Sequence, residues 1–275
     1  MLSARDSERV SDLIREAART ELLPRFRNLA ADDIRLKRPG DVVTVADVAA
    51  EKRLTSGLAA ILPGAAVVGE EAVEQDPGLL GLIGRQAESC WIVDPLDGTA
   101  QYAAGTPCFA IIVSLIQGGA TVAGWILDVM GDRMAVAQRG EGAFLNGVRL
   151  APEAAALAGP PNGFAGYKIR NDFERRLTAT ARQRLGHVKT LGCAGVEYVE
   201  ILAGNAAFNV YRTTKPWDHA AGALMLAEVG GRAVRFDGEE YRAAQAFDAG
   251  IVSASSPAVL AEVRSAIGSF IRQRG

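Results

Sequence analysis

The sequence contains few cysteine, histidine and aromatic residues, and each shortage excludes a class of protein. Among 275 residues there are 3 Cys and 2 His. Cys90, Cys108 and Cys193 are far apart and form no Cys-x-x-Cys pair, which argues against a disulfide framework and against a zinc site. Aromatic residues make up 6%, and 30 Lys+Arg nearly balance 32 Asp+Glu. Neither a base-stacking surface nor a basic nucleic-acid surface is therefore expected.

Long apolar runs are also missing. No stretch approaches the roughly 20 apolar residues of a membrane span. The segment Arg5–Glu8 is charged where a signal peptide would carry an apolar core. We therefore expect no membrane contact and a cytoplasmic location. With 49% hydrophobic residues the chain can bury a sizeable core, as one large domain or two modest ones.

The most informative stretch is 90–99, Cys-Trp-Ile-Val-Asp-Pro-Leu-Asp-Gly-Thr. Its apolar start predicts a buried strand that stops at Pro95, since proline cannot continue a central ladder. Asp94 and Asp97 would then share the carboxyl end of the strand, where open α/β sheets bind ligands. Two such carboxylates repel each other, and a hard divalent cation satisfies both. The alternative is a simple turn in which Asp97 caps a following helix.

Two further acidic motifs accompany it. Residues 65–68 predict a short buried strand that ends at Glu70 and Glu71. Asp218 lies in the first turn of a helix predicted to begin near Pro216. The alternative interpretations are ordinary surface charge for the glutamates and a favourable interaction with the helix dipole for Asp218.

Polar residues near the N-terminus also have two interpretations. Thr44 and Asp47 resemble a helix capping box with Asp in place of Glu. Lys37 and Arg38 precede a Pro-Gly turn and form either a solvated loop or a mobile cationic lid over an anionic site.

Apolar spacing and turn residues predict alternating helices and strands. An Ala/Pro/Gly-rich segment at 151–163 is the best boundary, which divides the chain into units at 1–150 and 151–275. The predicted helices are 5–23, 46–62, 173–185, 192–203, one from 216 and 257–272, and the predicted strands lie in 109–150, 188–191, 206–211, 233–236 and 250–253.

The motifs at 69–71, 94–99 and 217–222, with 41–44 and Asp47 before them, together resemble the inositol monophosphatase family. This is a lithium-sensitive, magnesium-dependent phosphatase superfamily. It includes fructose-1,6-bisphosphatases, histidinol phosphatases and bisphosphate nucleotidases. The resemblance runs from about Lys37 to Gly231. It implies a layered α/β (α+β) fold, the αβαβα sandwich, and a homodimer, which is common in the family.

The resemblance also implies roles for individual residues. The expected function is hydrolysis of the phosphate monoester of a small metabolite by direct attack of a metal-activated water, without a covalent nucleophile. Two or three Mg²⁺ ions would be shared by Glu70, Asp94, the Leu96 carbonyl, Asp97 and Asp218. The water would be oriented or deprotonated by Asp47 and Thr99, with Glu70, and phosphate would be bound by the N–H groups of Gly98 and Thr99. Glu71 and Lys37 would lie near the metals. The candidate substrate contacts are Gly192, Cys193, Ala194, Tyr211, Arg212 and Lys215.

The sequence departs from the family at the substrate side. Animal inositol monophosphatases place a Glu against the inositol hydroxyls where Tyr211 stands here, and Arg212 and Lys215 follow. This difference favours a substrate with a second negative charge, such as fructose 1,6-bisphosphate or 3′-phosphoadenosine 5′-phosphate. Histidinol phosphate and a neutral polyol phosphate stay open. The alternative outside catalysis is a regulatory protein that binds metal and phosphate with little turnover.

Overall fold

The computed structural model describes residues 2–38, 40–85, 88–151, 159–244, 247 and 249–271. Short 3-10 segments span Ala31–Asp33 and Pro77–Leu82, and a π-helical segment spans Ala18–Leu22. Helices α1 to α9 are, in chain order, Ala4–Ala17, Val45–Ile61, Glu70–Gln75, Thr99–Ala103, Tyr167–Arg176, Ala179–Arg184, Ala194–Leu202, Pro216–Glu228 and Pro257–Ile271. Strands β1 to β14 are Ile34–Arg38, Asp41–Thr44, Ala66–Gly69, Ser89–Asp97, Ala110–Gln117, Ala120–Asp128, Arg133–Gln138, Gly142–Leu145, Val148–Arg149, Gly163–Ala165, Val188–Lys189, Phe208–Tyr211, Arg232–Arg235 and Ile251–Ala254.

Two sheets and three helical layers alternate through the molecule. A seven-stranded sheet has the order β3-β4-β5-β6-β7-β8-β9, and a five-stranded sheet has the order β11-β10-β12-β14-β13. Helices α1 and α2 cover the outer face of the first sheet, and α7 and α8 lie between the two sheets. Helices α5, α6 and α9 cover the outer face of the second. This order of layers confirms the predicted αβαβα sandwich.

Strand β4 is buried on both faces, as its apolar run predicts. Trp91 and Val93 point into the core beneath α1 and α2. Cys90 and Ile92 point to the opposite face, where they pack with Trp217. The alternation follows from the two-residue period of a strand, and it lets β4 contribute side chains to the packing on both faces of the first sheet.

The prediction that β4 stops at Pro95 is wrong. The strand continues to Asp97, and its pairing with β5 shifts between Asp94 (opposite Ile112) and Asp97 (opposite Ala110), which is a β-bulge. The parallel partner β3 ends opposite Val93, so Pro95 lies beyond that ladder and its missing N–H is tolerated. The bulge places Asp94 and Asp97 at the same end of the strand.

Other differences come from local chemistry. The predicted helix 173–185 is two helices, because Thr178 caps a new one through its hydroxyl, which accepts from Ala181 N at 3.1 Å. The basic segment at 34–38 pairs with β2 as an antiparallel hairpin. Strand β10 was not predicted; at three residues it is too short to show a periodicity.

The predicted boundary at 151–163 includes residues 152–158, which lie outside the described residues, as does residue 272 of the last predicted helix. The division into 1–150 and 151–275 stays a prediction. Every strand of the first sheet precedes residue 150, yet α8 packs against that sheet. Within the described part of the chain, no helix combines the length and apolar character required to span the bilayer.

Candidate metal and phosphate site

Four carboxylates predicted as metal ligands converge on one cleft of about 360 Å³. Glu70 begins α3, Asp94 and Asp97 come from the end of β4, and Asp218 comes from the first turn of α8. A larger cavity of about 640 Å³ lies near the end of α8, and none of the predicted site residues line it. The structure thus brings the three acidic motifs together, while their role as ligands stays a prediction.

The topology explains this convergence. Strands β3 and β4 are parallel, with Gly69 opposite Val93, so both chains leave the sheet at the same edge. Glu70 and Asp94 are therefore neighbours. Helix α8 packs across β4, β5 and β6, which directs its first turn and Asp218 to that edge. Strand direction and helix packing therefore bring together acidic residues that are far apart in sequence.

Asp94 is a buried carboxyl of the cleft whose pKa is raised. Its side chain is 1% exposed, and Oδ1 accepts the Leu96 N–H at 3.1 Å. Burial raises its pKa well above the usual range, and the nearby charges of Glu70, Asp97 and Asp218 raise it further. A buried carboxyl among other carboxyls requires either protons or added positive charge.

Asp97 and Asp218 share this environment. Burial raises the pKa of Asp97 to about 6, although the N–H of Gly195, which donates to Oδ2 at 2.5 Å, opposes the shift. Burial raises the pKa of Asp218 to about 8, with Lys215 opposing and Glu70 adding to the shift. The cleft therefore holds more negative charge than its own cations balance.

Two lysines supply part of the missing positive charge. Lys215 Nζ lies 2.9 Å from Glu70 Oε1, and Lys37 Nζ lies 2.5 Å from Glu71 Oε1 and 3.9 Å from Glu70 Oε1. Burial lowers the pKa of Lys215, but Glu70 and Asp218 outweigh it and hold the pKa above its usual value. The Lys37 side chain is only 7% exposed, so here it is a buried ion-pair partner on β1 and not a solvated loop residue.

Asp47 contacts Thr99, which lines the cleft. Asp47 Oδ2 accepts from Thr44 N at 2.8 Å, so the predicted capping box is present. Asp47 Oδ1 lies 2.9 Å from Thr99 Oγ1, which is also 2.9 Å from the Leu96 carbonyl. One carboxyl thus caps α2 and also positions a threonine hydroxyl beside Leu96.

Gly98 makes the turn between β4 and α4 possible. Its φ is +87°, and a Cβ atom there would lie 2.9 Å from the Cys108 carbonyl oxygen. Only glycine adopts this conformation without strain. The turn places the N–H groups of Gly98 and Thr99 at the start of α4, where N–H groups have no intrahelical acceptor.

The glycine-rich start of α7 faces an anion from the chain itself. Gly192 and Ala194 line the cleft, and Cys193 Sγ lies 3.2 Å from Asp97 Oδ2. A Cβ atom on Gly195 would lie 2.8 Å from that of Ala110. The helix start therefore packs closely against β5 and also binds the Asp97 carboxylate.

Two of the candidate substrate contacts, Tyr211 and Arg212, are bound to acidic side chains of the protein itself. Tyr211 lines the cleft and donates its hydroxyl to Glu197 Oε2 at 2.6 Å, and Arg212 forms an ion pair with Asp172 of α5. Glu197 is completely buried, and burial raises its pKa to about 8. The pair of Tyr211 and Glu197 thus presents a largely neutral surface to the cleft at neutral pH.

A sequence model of the inositol monophosphatase family matches residues 7–269. The chain belongs to the inositol monophosphatase family. It is 30% identical over 210 residues to the inositol-1-monophosphatase of Bacillus subtilis, covering 74% of this chain and 76% of that protein. It is 27% identical over 203 residues to the fructose-1,6-bisphosphatase/inositol-1-monophosphatase of Thermotoga maritima, covering 74% and 75%.

Solved structures agree on the fold. The extragenic suppressor protein SuhB of Bartonella henselae superposes with a TM-score of 0.81 at 24% identity, covering 97% of this chain and all of that one. Members of the inositol monophosphatase family are phosphatases, so the chain is a phosphoric monoester hydrolase. The predictions of family, fold and enzyme class are confirmed at that level.

The oxygen donors that converge in this inositol monophosphatase family member are of the type that a hard divalent cation binds. The converging ligands are carboxylate oxygens and the Leu96 carbonyl, which Mg²⁺ prefers. Among the described residues, no three His, Cys, Asp or Glu side chains are arranged closely enough to hold an ion as they stand. Lys215 Nζ contacts one carboxylate oxygen of Glu70 and Gly195 N contacts one of Asp97, as is usual for carboxylates that ligate a metal.

Several residues of the site were missed in the sequence analysis. Lys168 lies on the cleft at the start of α5, and Glu51 and Glu197 are buried beneath it. Lysine and glutamate are ordinarily exposed, and the sequence around these three shows no motif. Asp41 also lines the cleft. Its position directly before Val-Val-Thr was the one feature of the sequence that could have indicated this.

We expect the metal-free protein to lose stability as pH rises. When the pKa of a carboxyl is higher in the folded than in the unfolded protein, the folded state binds more protons. The free energy of unfolding therefore falls as the pH rises from about 4, the pKa of an unfolded carboxyl, to the raised pKa of the folded one. The contributing groups are Asp47 and Asp97 with pKa values of about 6, Glu71 of about 7, and Asp218 and Glu197 of about 8, together with Asp94 and Glu51, whose pKa values burial also raises.

His219 opposes this trend, because burial lowers its pKa to about 4 and the unfolded state gains a proton first on acidification. These seven carboxyls outweigh one imidazole, so in EDTA the melting temperature should be higher at about pH 5.5 than at about pH 8. Added Mg²⁺ should recover the loss at the higher pH. A melting temperature in EDTA that rises with pH would contradict the expectation.

Proposed function

We propose that the protein is a Mg²⁺-dependent hydrolase of phosphate monoesters on small metabolites. The observation that carries the proposal is the convergence of Glu70, Asp94, Asp97 and Asp218 on one cleft, where Asp94 is buried and Lys215 is ion-paired with Glu70. Burying uncompensated carboxylates is costly, so such a cluster is maintained for a function that supplies positive charge.

In this proposal two or three Mg²⁺ ions are held by those four carboxylates and the Leu96 carbonyl. Bound Mg²⁺ neutralises phosphate charge, lowers the pKa of a water and stabilises the leaving alkoxide. The N–H groups of Gly98 and Thr99 would bind phosphate oxygens at the start of α4. Lys215 and Lys37 form ion pairs with Glu70 and Glu71 when no substrate is bound.

Thr99 and Asp47 would manage the proton of the attacking water. The Thr99 hydroxyl can orient the water while donating to Asp47, and the Asp47 carboxyl, with a pKa of about 6, is ready to accept a proton at neutral pH. Attack in line with the leaving group needs no covalent nucleophile. From the family resemblance we also propose a cytoplasmic homodimer that is inhibited by Li⁺.

The test is phosphate release from four substrates: inositol monophosphate, fructose 1,6-bisphosphate, 3′-phosphoadenosine 5′-phosphate and histidinol phosphate. Each is assayed in Mg²⁺, in EDTA, and in Mg²⁺ with added Li⁺, with light scattering for the oligomeric state. We expect release of at least one phosphate in Mg²⁺, its loss in EDTA and its inhibition by Li⁺. Release that persists unchanged in EDTA would refute the metal dependence.

A bisphosphate is the second candidate substrate, and the cations at the cleft favour it. Arg38, Lys168 and Arg212 line the cleft in addition to Lys215. Arg38 is paired with Glu74, Arg212 with Asp172 and Lys215 with Glu70, whereas the Lys168 side chain is exposed. Lys168 is therefore the cation best placed to meet a second phosphate.

We expect Lys168→Gln to lower kcat/KM for a bisphosphate about tenfold or more, since one hydrogen bond to a charged group contributes about 1.5–3 kcal/mol. Turnover of inositol monophosphate should change little. Lys189→Gln, which removes an exposed charge from β11 away from the cleft, is the matched control. An equal loss on both substrates would show that Lys168 does not read the second charge.

A further inference from the structure

Glu51 of α2 reaches across the fold to the first turn of α3. Its Oε2 accepts the Glu71 N–H at 2.8 Å and its Oε1 accepts the Ala72 N–H at 2.9 Å. The residue is only 8% exposed. One buried carboxylate therefore binds two consecutive N–H groups directly after Glu70, and this contact fixes where α3 begins.

Gly69 leaves the room for this contact. A Cβ atom at position 69 would lie 2.3 Å from both Cδ and Oε2 of Glu51. The backbone of Gly69 is extended, with φ of −93°, so a larger residue is opposed by the Glu51 carboxylate and not by the backbone angle. The Glu51 carboxylate fills the position that a side chain at 69 would occupy.

A capping group at this helix start is expected, but its source is unusual. The first N–H groups of a helix have no intrahelical acceptor, and a Ser, Thr, Asn or Asp at the N-cap ordinarily satisfies one of them. Here the N-cap is Gly69, and the acceptor is a carboxylate from another helix, close enough to Glu70 for their charges to repel. A local Ser cap would avoid that repulsion, so stability alone does not account for Glu51.

The position of Glu51 on α2 suggests what it contributes. Asp47 lies four residues earlier, so the two carboxyls are neighbours on the same face of the helix. Asp47 contacts Thr99 and Glu51 contacts the residue after Glu70. A single rigid helix therefore sets the spacing between the Thr99 hydroxyl and the Glu70 carboxylate.

We propose that Glu51 is a positioning residue that, through the first turn of α3, holds Glu70 in place as a metal ligand relative to Asp47 and Thr99. The inference rests on the proposed function, because it takes Glu70 as a ligand of Mg²⁺. Glu51 itself contacts neither metal nor substrate. It acts by orienting the backbone that carries Glu70.

The test compares Glu51→Gln with a matched control, Glu228→Gln. Glu228 makes the same kind of contact away from the cleft, since its carboxylate accepts from Gly140 N at 2.8 Å and from Gly142 N at 2.9 Å. Each glutamine keeps the shape but offers one acceptor and one repelled N–H₂ group. The melting temperature of wild type and both variants is measured against Mg²⁺ concentration, with phosphate release measured in parallel.

We expect both variants to melt at a lower temperature without Mg²⁺. Only Glu51→Gln should raise the Mg²⁺ concentration for half-maximal stabilisation, by about 10- to 100-fold, as is usual for residues that orient a metal ligand. Its phosphate release should recover as Mg²⁺ is increased. If Glu51→Gln does not fold, Gly69→Ala, which presses against the same carboxylate, is expected to show the same shift and decides the question.

Two results would overturn the inference and are distinguishable. If wild type is stabilised by Mg²⁺ but Glu51→Gln or Gly69→Ala has the same half-maximal concentration, Glu51 is a helix cap only, and the proposed function stands. If wild type shows neither stabilisation by Mg²⁺ nor phosphate release, the proposed function itself fails, and the inference fails with it.

Discussion

Replacing Asp94 by Asn is expected to lower phosphate release by about 10³-fold or more while making the metal-free protein more stable. Metal charge at the reacting phosphate contributes several kcal/mol, and each 1.4 kcal/mol is a factor of ten. Asp94 is 1% exposed, and burial and the neighbouring carboxylates raise its pKa well above the usual range. The amide keeps the shape and removes the charge, so it removes both the ligand and the repulsion.

The expected gain in stability of metal-free Asp94→Asn distinguishes a functional carboxylate from a structural one. Relief of about 1 kcal/mol of repulsion would raise the melting temperature in EDTA by about 2–4 °C in a protein of this size. In Mg²⁺ the order should reverse, because wild type gains stability from binding and Asp94→Asn gains little. Both quantities come from one thermal melt with and without metal.

Asp128→Asn is the matched control, since Asp128 is also buried, at 4% exposure, but has an ion-pair partner in Arg133. Removing its charge leaves Arg133 less well paired, so this variant should melt at a lower temperature in EDTA and in Mg²⁺ alike. Its kcat should remain close to that of wild type. If Asp94→Asn behaves in the same way as Asp128→Asn, Asp94 is not a ligand.

Thr99→Val is expected to lower kcat by about 10²- to 10⁴-fold, the range for a group that moves or orients a proton in the transition state. Valine matches threonine in shape, but it cannot donate to Asp47 Oδ1 or to the Leu96 carbonyl, both 2.9 Å from the hydroxyl. KM should change less than kcat, because the Thr99 N–H that is proposed to bind phosphate is retained. Steady-state kinetics at saturating Mg²⁺ measures both.

Thr99→Ser keeps the hydroxyl and serves as the control, with kcat expected to stay within about tenfold of wild type. Valine also leaves the buried Asp47 oxygen without a donor, at a cost of about 1–3 kcal/mol in the free energy of unfolding. A melting curve therefore accompanies the kinetics. Wild-type turnover by a stably folded Thr99→Val would remove Thr99 and Asp47 from the mechanism.

The sequence and the structure favour different cations as contacts for a second phosphate of the substrate. The sequence pointed to Arg212 and Lys215 as readers of a second charge. In the folded protein these cations are held by Asp172 and Glu70, and Lys168 is exposed at the cleft. The sequence shows that a loop carries a charged residue, but it does not show which residue pairs with that charge. Whether it faces the substrate depends on acids from other elements.

Sequence by itself determined the features that depend on local pattern. The apolar run before Asp94 specified a buried strand, Thr44 and Asp47 specified a capping box, and three acidic motifs in family order specified the enzyme class. Each of these signals lies within a few neighbouring residues. Side-chain period, capping and turn chemistry act over that distance, so they can be read without a structure.

Tertiary structure alone decided the rest. Glu51 contacts Glu71 across 20 positions, and Glu197 meets Tyr211 across 14. No local pattern specifies either contact. The bulge that carries β4 past Pro95 depends on β3 having ended at Gly69. Burial and partners of a charged side chain depend on which elements pack around it, and it is those partners that raise the pKa values and position the ligands of this cleft.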